Sequence, residues 1–179
     1  MRDRRAPREI ASHGYTHRRL FDRTPRELAA GIAASIELIG ELTVSAPRGH
    51  RAPAFAIRRQ GARAFELIAD HGLRYDSSLH DSPRLPERIR PAAPGPHRVE
   101  LSAGRCLWEL PFAVGRLGAW SIPLGDGADW HLLPGRVVRG GLAGAARCGP
   151  QAIYAHPYEC GPRRTRVLEL LRALVVLMS

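Results

Sequence analysis

The sequence predicts a single α/β domain built on largely parallel strands. Short apolar segments alternate along the chain with stretches of helical periodicity, which is the pattern of strands joined by helices. At 179 residues the chain is long enough for one real core and too short for two comfortable ones. Its 44% hydrophobic and 25% charged residues are those of an ordinary soluble globular protein.

The elements follow in order. Residues Glu9 to Ser12 form a candidate short strand running into the loop His13 to His17. Thr24-Pro25-Arg26-Glu27 marks a helix start: Thr24 caps, Pro25 fits the first turn, and Glu27 can close a capping box. Leu28, Ile32, Ile36 and Ile39 then recur at helical spacing and predict an inward face. A second helix is predicted around Arg59 to His71, with Phe65 and Ile68 inward and Gly72 as its stop. Leu73 to Asp76 reads as the next strand, with Ser77 and Ser78 in a loop. The Pro- and Arg-rich stretch from Ser82 to Gly95 reads as an irregular excursion. Arg98 to Leu101 and Leu107 to Phe112 are candidate strands, and Pro134 opens a Gly-weakened helix ending near Cys148. Gln151 to Ala155 reads as a buried strand that delivers His156 at its C-terminal end. Pro162 opens a last helix with Val167, Leu170, Leu171 and Leu174 inward. No internal repeat is visible.

The net charge of +10 raises the question of an anionic partner. Every basic residue is Arg, Lys and Asn are absent, and Ala, Gly and Pro are abundant, which fits a G- and C-rich codon bias. The arginines are scattered and aromatics are only 6%, so the basic stripe with stacking rings expected of a nucleic-acid binder is missing and no nucleic-acid partner is expected. Cys106, Cys148 and Cys160 are an odd set without C-x-x-C spacing, neither a disulfide framework nor a structural zinc site. Met1 to Arg8 has no apolar signal core, and Val167 to Met178 is interrupted by Glu169 and Arg172 and too short to span a bilayer. The expectation is a chain with no membrane segment, cytoplasmic by default.

Four places carry residues capable of chemistry. His13 and His17 flank a glycine at H-x-x-x-H spacing, which lets two imidazoles reach one zinc ion at about 2.0–2.1 Å. Two surface histidines in a loop would look the same. Arg51, just before Pro53 in the stretch Arg48 to Phe55, could grip a carboxylate with two nitrogens, or could be a solvated turn residue. Asp76 at a strand end could orient a catalytic imidazole or cap an Asx turn. His156, ahead of Pro157-Tyr158-Glu159, sits where α/β barrels place catalytic groups. An imidazole with an ordinary pKa near 6.5 suits protonation of a leaving amine, although backbone partners could equally satisfy it.

The order and wording of these four segments carry more than any one of them. Glu9 to His17, Arg48 to Phe55, Gly72 to Ser78, and His156 to Glu159 together resemble the polysaccharide deacetylase family with the NodB homology domain, and within it the branch associated with exopolysaccharide loci. Trp108-Glu109-Leu110-Pro111 and Trp130-His131-Leu132-Leu133-Pro134 resemble that branch's C-terminal extension, which is expected to begin near residue 100 of a single domain spanning 1–179. The resemblance implies a distorted (β/α) barrel and metal-dependent removal of acetyl groups from an acetylated polysaccharide or oligosaccharide, with zinc as the usual divalent metal. It implies His13 and His17 as metal ligands, Arg51 as holder of the catalytic base, Asp76 as the group tuning the acid, and His156 as general acid. It places the backbone N–H of Ala54 at the oxyanion and Tyr158 beside the substrate.

One family motif is not matched. A Thr-Phe-Asp-Asp-type strand end, source of the base and of the carboxylate metal ligand, is expected upstream of His13, and Met1-Arg2-Asp3-Arg4-Arg5 does not resemble it. The expectation is therefore a barrel incomplete at its N-terminus, lacking its first strand. Such a chain is inactive or weak by itself, or is a non-catalytic remnant that binds glycan. The exposed sheet edge predicts poor solubility or oligomers.

Overall fold

The computed structural model describes residues 9–19, 23–43, 45–55, 57, 62–79, 81, 91, 93–117, 120–125, 130 and 132–156. Helix α1, Pro25–Leu42, begins as its sequence dictates. Thr24 Oγ1 accepts the Glu27 N–H at 3.3 Å and Glu27 Oε2 accepts the Thr24 N–H at 2.7 Å. This closed capping box satisfies two of the amides that a helix start leaves unpaired. Helix α2, Ala62–Asp70, ends in a turn at His71-Gly72.

Between and after the helices run β1 (Gly49–His50), β2 (Tyr75–Asp76), β3 (His97–Glu100) and β4 (Cys106–Glu109). They form one sheet in the order β1-β2-β4-β3. β1 pairs β2 and β2 pairs β4 in parallel, while β3 returns antiparallel along β4. Ser12 extends the β1 edge through a parallel bridge to His50. The result is a mixed α/β fold with a parallel centre, as the alternation of segments predicts. The strand expected at residues 9–12 contributes only the bridge at Ser12.

The core lies between this sheet and the two helices. Ile32 of α1, Phe65 and Ile68 of α2, Leu73, Leu79 and Leu107 are buried together, with Leu28 and Ile36 packed against them. Ile39, expected with them, is half-buried and outside this cluster, whereas Leu28, Ile32, Ile36, Phe65 and Ile68 are inward positions that the helical spacing predicts. Burial of each such side chain contributes roughly 1.5–3 kcal/mol.

A hairpin of β5 (Val114–Leu117) and β6 (Trp120–Pro123) follows, then α3, Gly135–Ala145. The hairpin is absent from the expectations above. Its apolar residues are broken by Gly115 and Arg116, so no clean alternation marks it. The glycines that weaken α3 have a structural use. A side chain on Gly141 would begin 2.1 Å from Leu124 Cδ1, and one on Gly115 would begin 2.3 Å from the same atom. Glycine at both positions leaves the room that the buried Leu124 side chain fills between α3 and β5.

Residues 151–156 depart from expectation. They are extended, with Ala152 bridged to Phe112, but they are not a buried strand: Ile153 is 54% exposed and the rest are half-buried or exposed. Ala152, Ile153 and Tyr154 line an open cleft on one side, with Tyr154 packed edge to face on Phe55. Of the excursion expected from Ser82 to Gly95, residues 91 and 93–95 are irregular as expected and the rest lie outside the described residues, as do the helix opened by Pro162 and Tyr158.

Candidate active site

The site is assembled where the ends of the parallel strands meet the loop after Ser12. Arg51 N–H donates to Ser12 O, and Ser12 N–H to Gly49 O, both at 2.9 Å, which pins the loop to β1. Gly14 then turns with φ +77°, a left-handed conformation that glycine adopts without steric cost. His17 also sits at φ 52°, where a non-glycine residue is strained by about 1–3 kcal/mol, and such strain clusters at functional sites.

This turn brings His13 and His17 together, their ring centroids 5.0 Å apart and nearly perpendicular. His13 Nδ1 lies 2.9 Å from Arg51 O. A carbonyl only accepts, so Nδ1 carries the proton and Nε2 keeps a free lone pair. That is how metal-binding histidines are oriented: one nitrogen donates to an acceptor and the other is presented to the ion. Burial pushes the His13 pKa below its ordinary value, the positive neighbours His17, Arg51 and His50 push the same way, and only the bond to the Arg51 carbonyl opposes them. The ring is therefore neutral near pH 7, the form a metal needs.

Arg51 lines the same cleft, half-buried. Its Nε donates to Ser77 O at 2.9 Å and its Nη2 to Ser77 Oγ at 2.7 Å. Its guanidinium carbon lies 5.6 Å from the Phe55 ring centroid and 5.8 Å from that of Tyr154. The guanidinium is thus fixed on one side by a serine and framed by two aromatic rings. Ala54 and Phe55, at φ 54° and 52°, make the strained turn after it. Tyr154 continues the chain of contacts: its hydroxyl is hydrogen-bonded to His156 Nε2, and the two rings meet edge to face at 4.6 Å. A cavity of about 400 Å³ opens among Ser12, His13, Arg51, Ser77, Leu110 and Tyr154.

The structure therefore brings His13, His17 and Arg51 together, with His156 joined to Arg51 through Tyr154. Asp76 lies behind them, completely buried, its Oδ1 2.8 Å from His50 Nδ1 and its Oδ2 accepting the Ser78 N–H at 2.9 Å. The imidazole it holds is that of His50. The sequence reading passes over His50 and Glu109, both within quoted motifs. The signal for Glu109 is its strand: Leu107 and Glu109 share a face and are both fully buried, while Trp108 between them is 48% exposed. A charge on the inward face of a strand marks a residue with a partner.

Among the described residues no group of three His, Cys, Asp or Glu is arranged to hold a metal ion. His13 and His17 bring two imidazoles together, and no described carboxylate completes a metal-holding group with them. No described helix is long and apolar enough to cross a membrane. A second cavity, of about 480 Å³, lies between α3 and the β5–β6 hairpin and shares none of these residues.

No family model matches the chain. A peptidoglycan deacetylase of Helicobacter pylori (strain ATCC 700392 / 26695) is 33% identical over 85 residues, a stretch covering 48% of this chain and 28% of that protein. A crystal structure from Mycobacterium smegmatis, described as a polysaccharide deacetylase, superposes with a TM-score of 0.61 at 24% identity, covering 96% of this chain and 57% of the other. The allantoinase PuuE superposes with a TM-score of 0.55 at 17% identity, over 95% of this chain and 53% of its own. The chain thus spans little more than half the length of the structures it resembles. These likenesses carry the mixed α/β fold.

Proposed function

We propose that the chain is a member of the polysaccharide deacetylase family of the NodB-like kind, the reading its likenesses support, and that it carries the histidine metal site and the acid side of an enzyme that hydrolyses N-acetyl groups on sugars. The observation that carries this reading is the His13–Arg51 contact. One hydrogen bond fixes the tautomer of the first candidate ligand and ties it to the arginine that would hold the base. The finer architecture we assign is a distorted (β/α) barrel, with the described parallel strands as one wall.

His13 and His17 would hold a divalent metal, zinc by preference for two imidazoles. When bound, such an ion polarises the acetamide carbonyl and lowers the pKa of water toward about 7. Arg51, anchored on Ser77, presents its guanidinium to the cleft, where it can grip a carboxylate. Phe55 and Tyr154 give a sugar ring apolar walls. His156 is the proton donor to the leaving amine, oriented by the Tyr154 hydroxyl. The N–H of Ala54 is assigned to the oxyanion, and a donor in that role contributes about 2.7–4 kcal/mol in other enzymes. With two imidazoles and no third ligand among the described residues, zinc binding should be weak. With no carboxylate base placed at the site among the described residues, water attack by these groups alone should be slower by roughly 10²–10⁴-fold.

The test is acetate release from a chitin oligosaccharide, with and without added zinc, alongside direct oligosaccharide binding. The expected result is zinc-dependent binding with slow release or none. Robust zinc-dependent turnover by these 179 residues would overturn the low activity. Oligosaccharide binding that is indifferent to zinc would favour a glycan-binding remnant, and absence of both zinc and oligosaccharide binding would overturn the deacetylase reading.

A further inference from the structure

A row of four buried polar residues crosses the sheet behind the site. Ser12 pairs with His50, His50 with Asp76 and Asp76 with Glu109, each in parallel register, so their side chains lie side by side on neighbouring strands. All four are at most 2% exposed. They share the face covered by the helices: Ser12 Oγ is bonded to Ser35 Oγ of α1, and Leu107, on the same face as Glu109, belongs to the core cluster. Arg51 and Ser77, one residue further along, line the cleft, whose floor Ser12 and His50 also border.

Glu109 is the member without an obvious reason. Its Oε1 accepts the Leu79 N–H at 2.9 Å, but its Oε2, fully buried, meets no hydrogen-bond donor among the described residues and faces the Asp76 carboxylate. Two ionised carboxylates cannot share a water-free site at that proximity. We propose that Glu109 is a positioning residue, a carboxylic acid that keeps its proton at neutral pH and donates it to Asp76, steadying the strand end that carries Arg51. This deepens the reading of Arg51 given above and rests on it for what the steadied groups do.

The geometry connects the two. Residues 50, 51 and 52 are bonded one by one to residues 76, 77 and 78: His50 Nδ1 to Asp76 Oδ1, the Arg51 guanidinium to Ser77, and the Ala52 N–H to Ser78 Oγ at 2.8 Å. Asp76 fixes both ends of this zipper, through His50 and through the Ser78 amide. A proton from Glu109 lets Asp76 remain the single negative charge in the row while Oε2 gains its missing bond. Burial first, and the Asp76 charge second, push the Glu109 pKa up to about 9. The charged or titratable groups around it are Asp76 on β2, His50 on β1, Arg51 just after β1, and His97 on β3, the register partner of Glu109, whose Nδ1 lies 2.9 Å from Gly95 O. The residues that α1 and α2 bury over the row are Ile32, Ser35, Ala64, Phe65 and Ile68, none of them titratable in this range.

The test needs no acetate assay, so its failure is separate from failure of the deacetylase reading. The side-chain carboxyl carbon of Glu109 is followed by NMR against pH, together with the melting temperatures of wild type, Glu109→Gln and Glu109→Ala. The carboxyl should remain protonated through neutrality. With its folded pKa above its ordinary 4.5, Glu109 contributes stability that is full below pH 4.5 and is lost as pH rises toward about 9. Glu109→Gln, which still accepts from Leu79 and donates to Asp76, should match the wild-type melting temperature near pH 4.5, melt at or above the wild type near neutral pH, and remove this dependence. Glu109→Ala should melt lower. Ionisation of Glu109 in the ordinary carboxylate range would overturn the proposal, as would a Gln variant as damaged as the Ala variant. If the Ala variant does not fold, the wild-type titration and the Gln variant still decide.

Discussion

Removing the Asp76 carboxylate should be among the most damaging single changes available in this fold. In Asp76→Ala, the His50 Nδ1–H and the Ser78 N–H both lose their acceptor inside a region with almost no solvent access. An unsatisfied buried group costs about 1–3 kcal/mol, so the two together cost about 2–6 kcal/mol. Breaking a buried pair by deleting one partner typically costs about 3–5 kcal/mol, which agrees. At Glu109 two effects oppose: the proposed bond to Asp76 is lost, but the repelling charge beside it is removed as well, and the expected net loss is about 3 kcal/mol. That is a large share of the roughly 5–15 kcal/mol that stabilises an ordinary domain. Asp76→Asn keeps one acceptor oxygen and should lose about half as much. The assay is urea unfolding at pH 7, with amide exchange at Ser78 as a local readout. An Asp76→Ala loss below about 1 kcal/mol, or an unchanged Ser78 exchange rate, would refute the idea that this carboxylate organises the site.

Three further changes probe other links. Thr24→Ala opens the capping box of α1 and should cost about 1 kcal/mol in urea unfolding. Ile68→Ala, at a side chain with no exposure in the middle of the core, should cost about 2–5 kcal/mol, with the higher end expected if the neighbours cannot collapse. Arg51→Lys keeps the charge but loses the two-nitrogen hold on Ser77 and the stacking of a planar group between Phe55 and Tyr154. It should leave the fold intact by circular dichroism and weaken oligosaccharide binding at least severalfold.

Much of this organisation is legible in the sequence because it is local. The start of α1 is written in Thr24, Pro25 and Glu27, and its inward face in Leu28, Ile32 and Ile36. The loop at His13 and His17 and the turn after Arg51 stand out as motifs because glycine and proline punctuate them. What the sequence conceals is set by register between strands distant in the chain. His50, Asp76 and Glu109 become neighbours only when β1, β2 and β4 lie in parallel at one register, and nothing local tells His50 that its partner is 26 residues away. The same blindness explains Gln151 to Ala155. An apolar run reads as buried, but whether a strand covers it depends on what lies across the cleft.

Whether His13 and His17 act as one ligand pair is measured directly by equilibrium competition for zinc against a chromophoric chelator. The predicted result is one weakly held zinc per chain, lost in His13→Ala and in His17→Ala and kept in His71→Ala. Zinc binding that survives loss of both loop histidines, or no binding by the folded wild type, would contradict it.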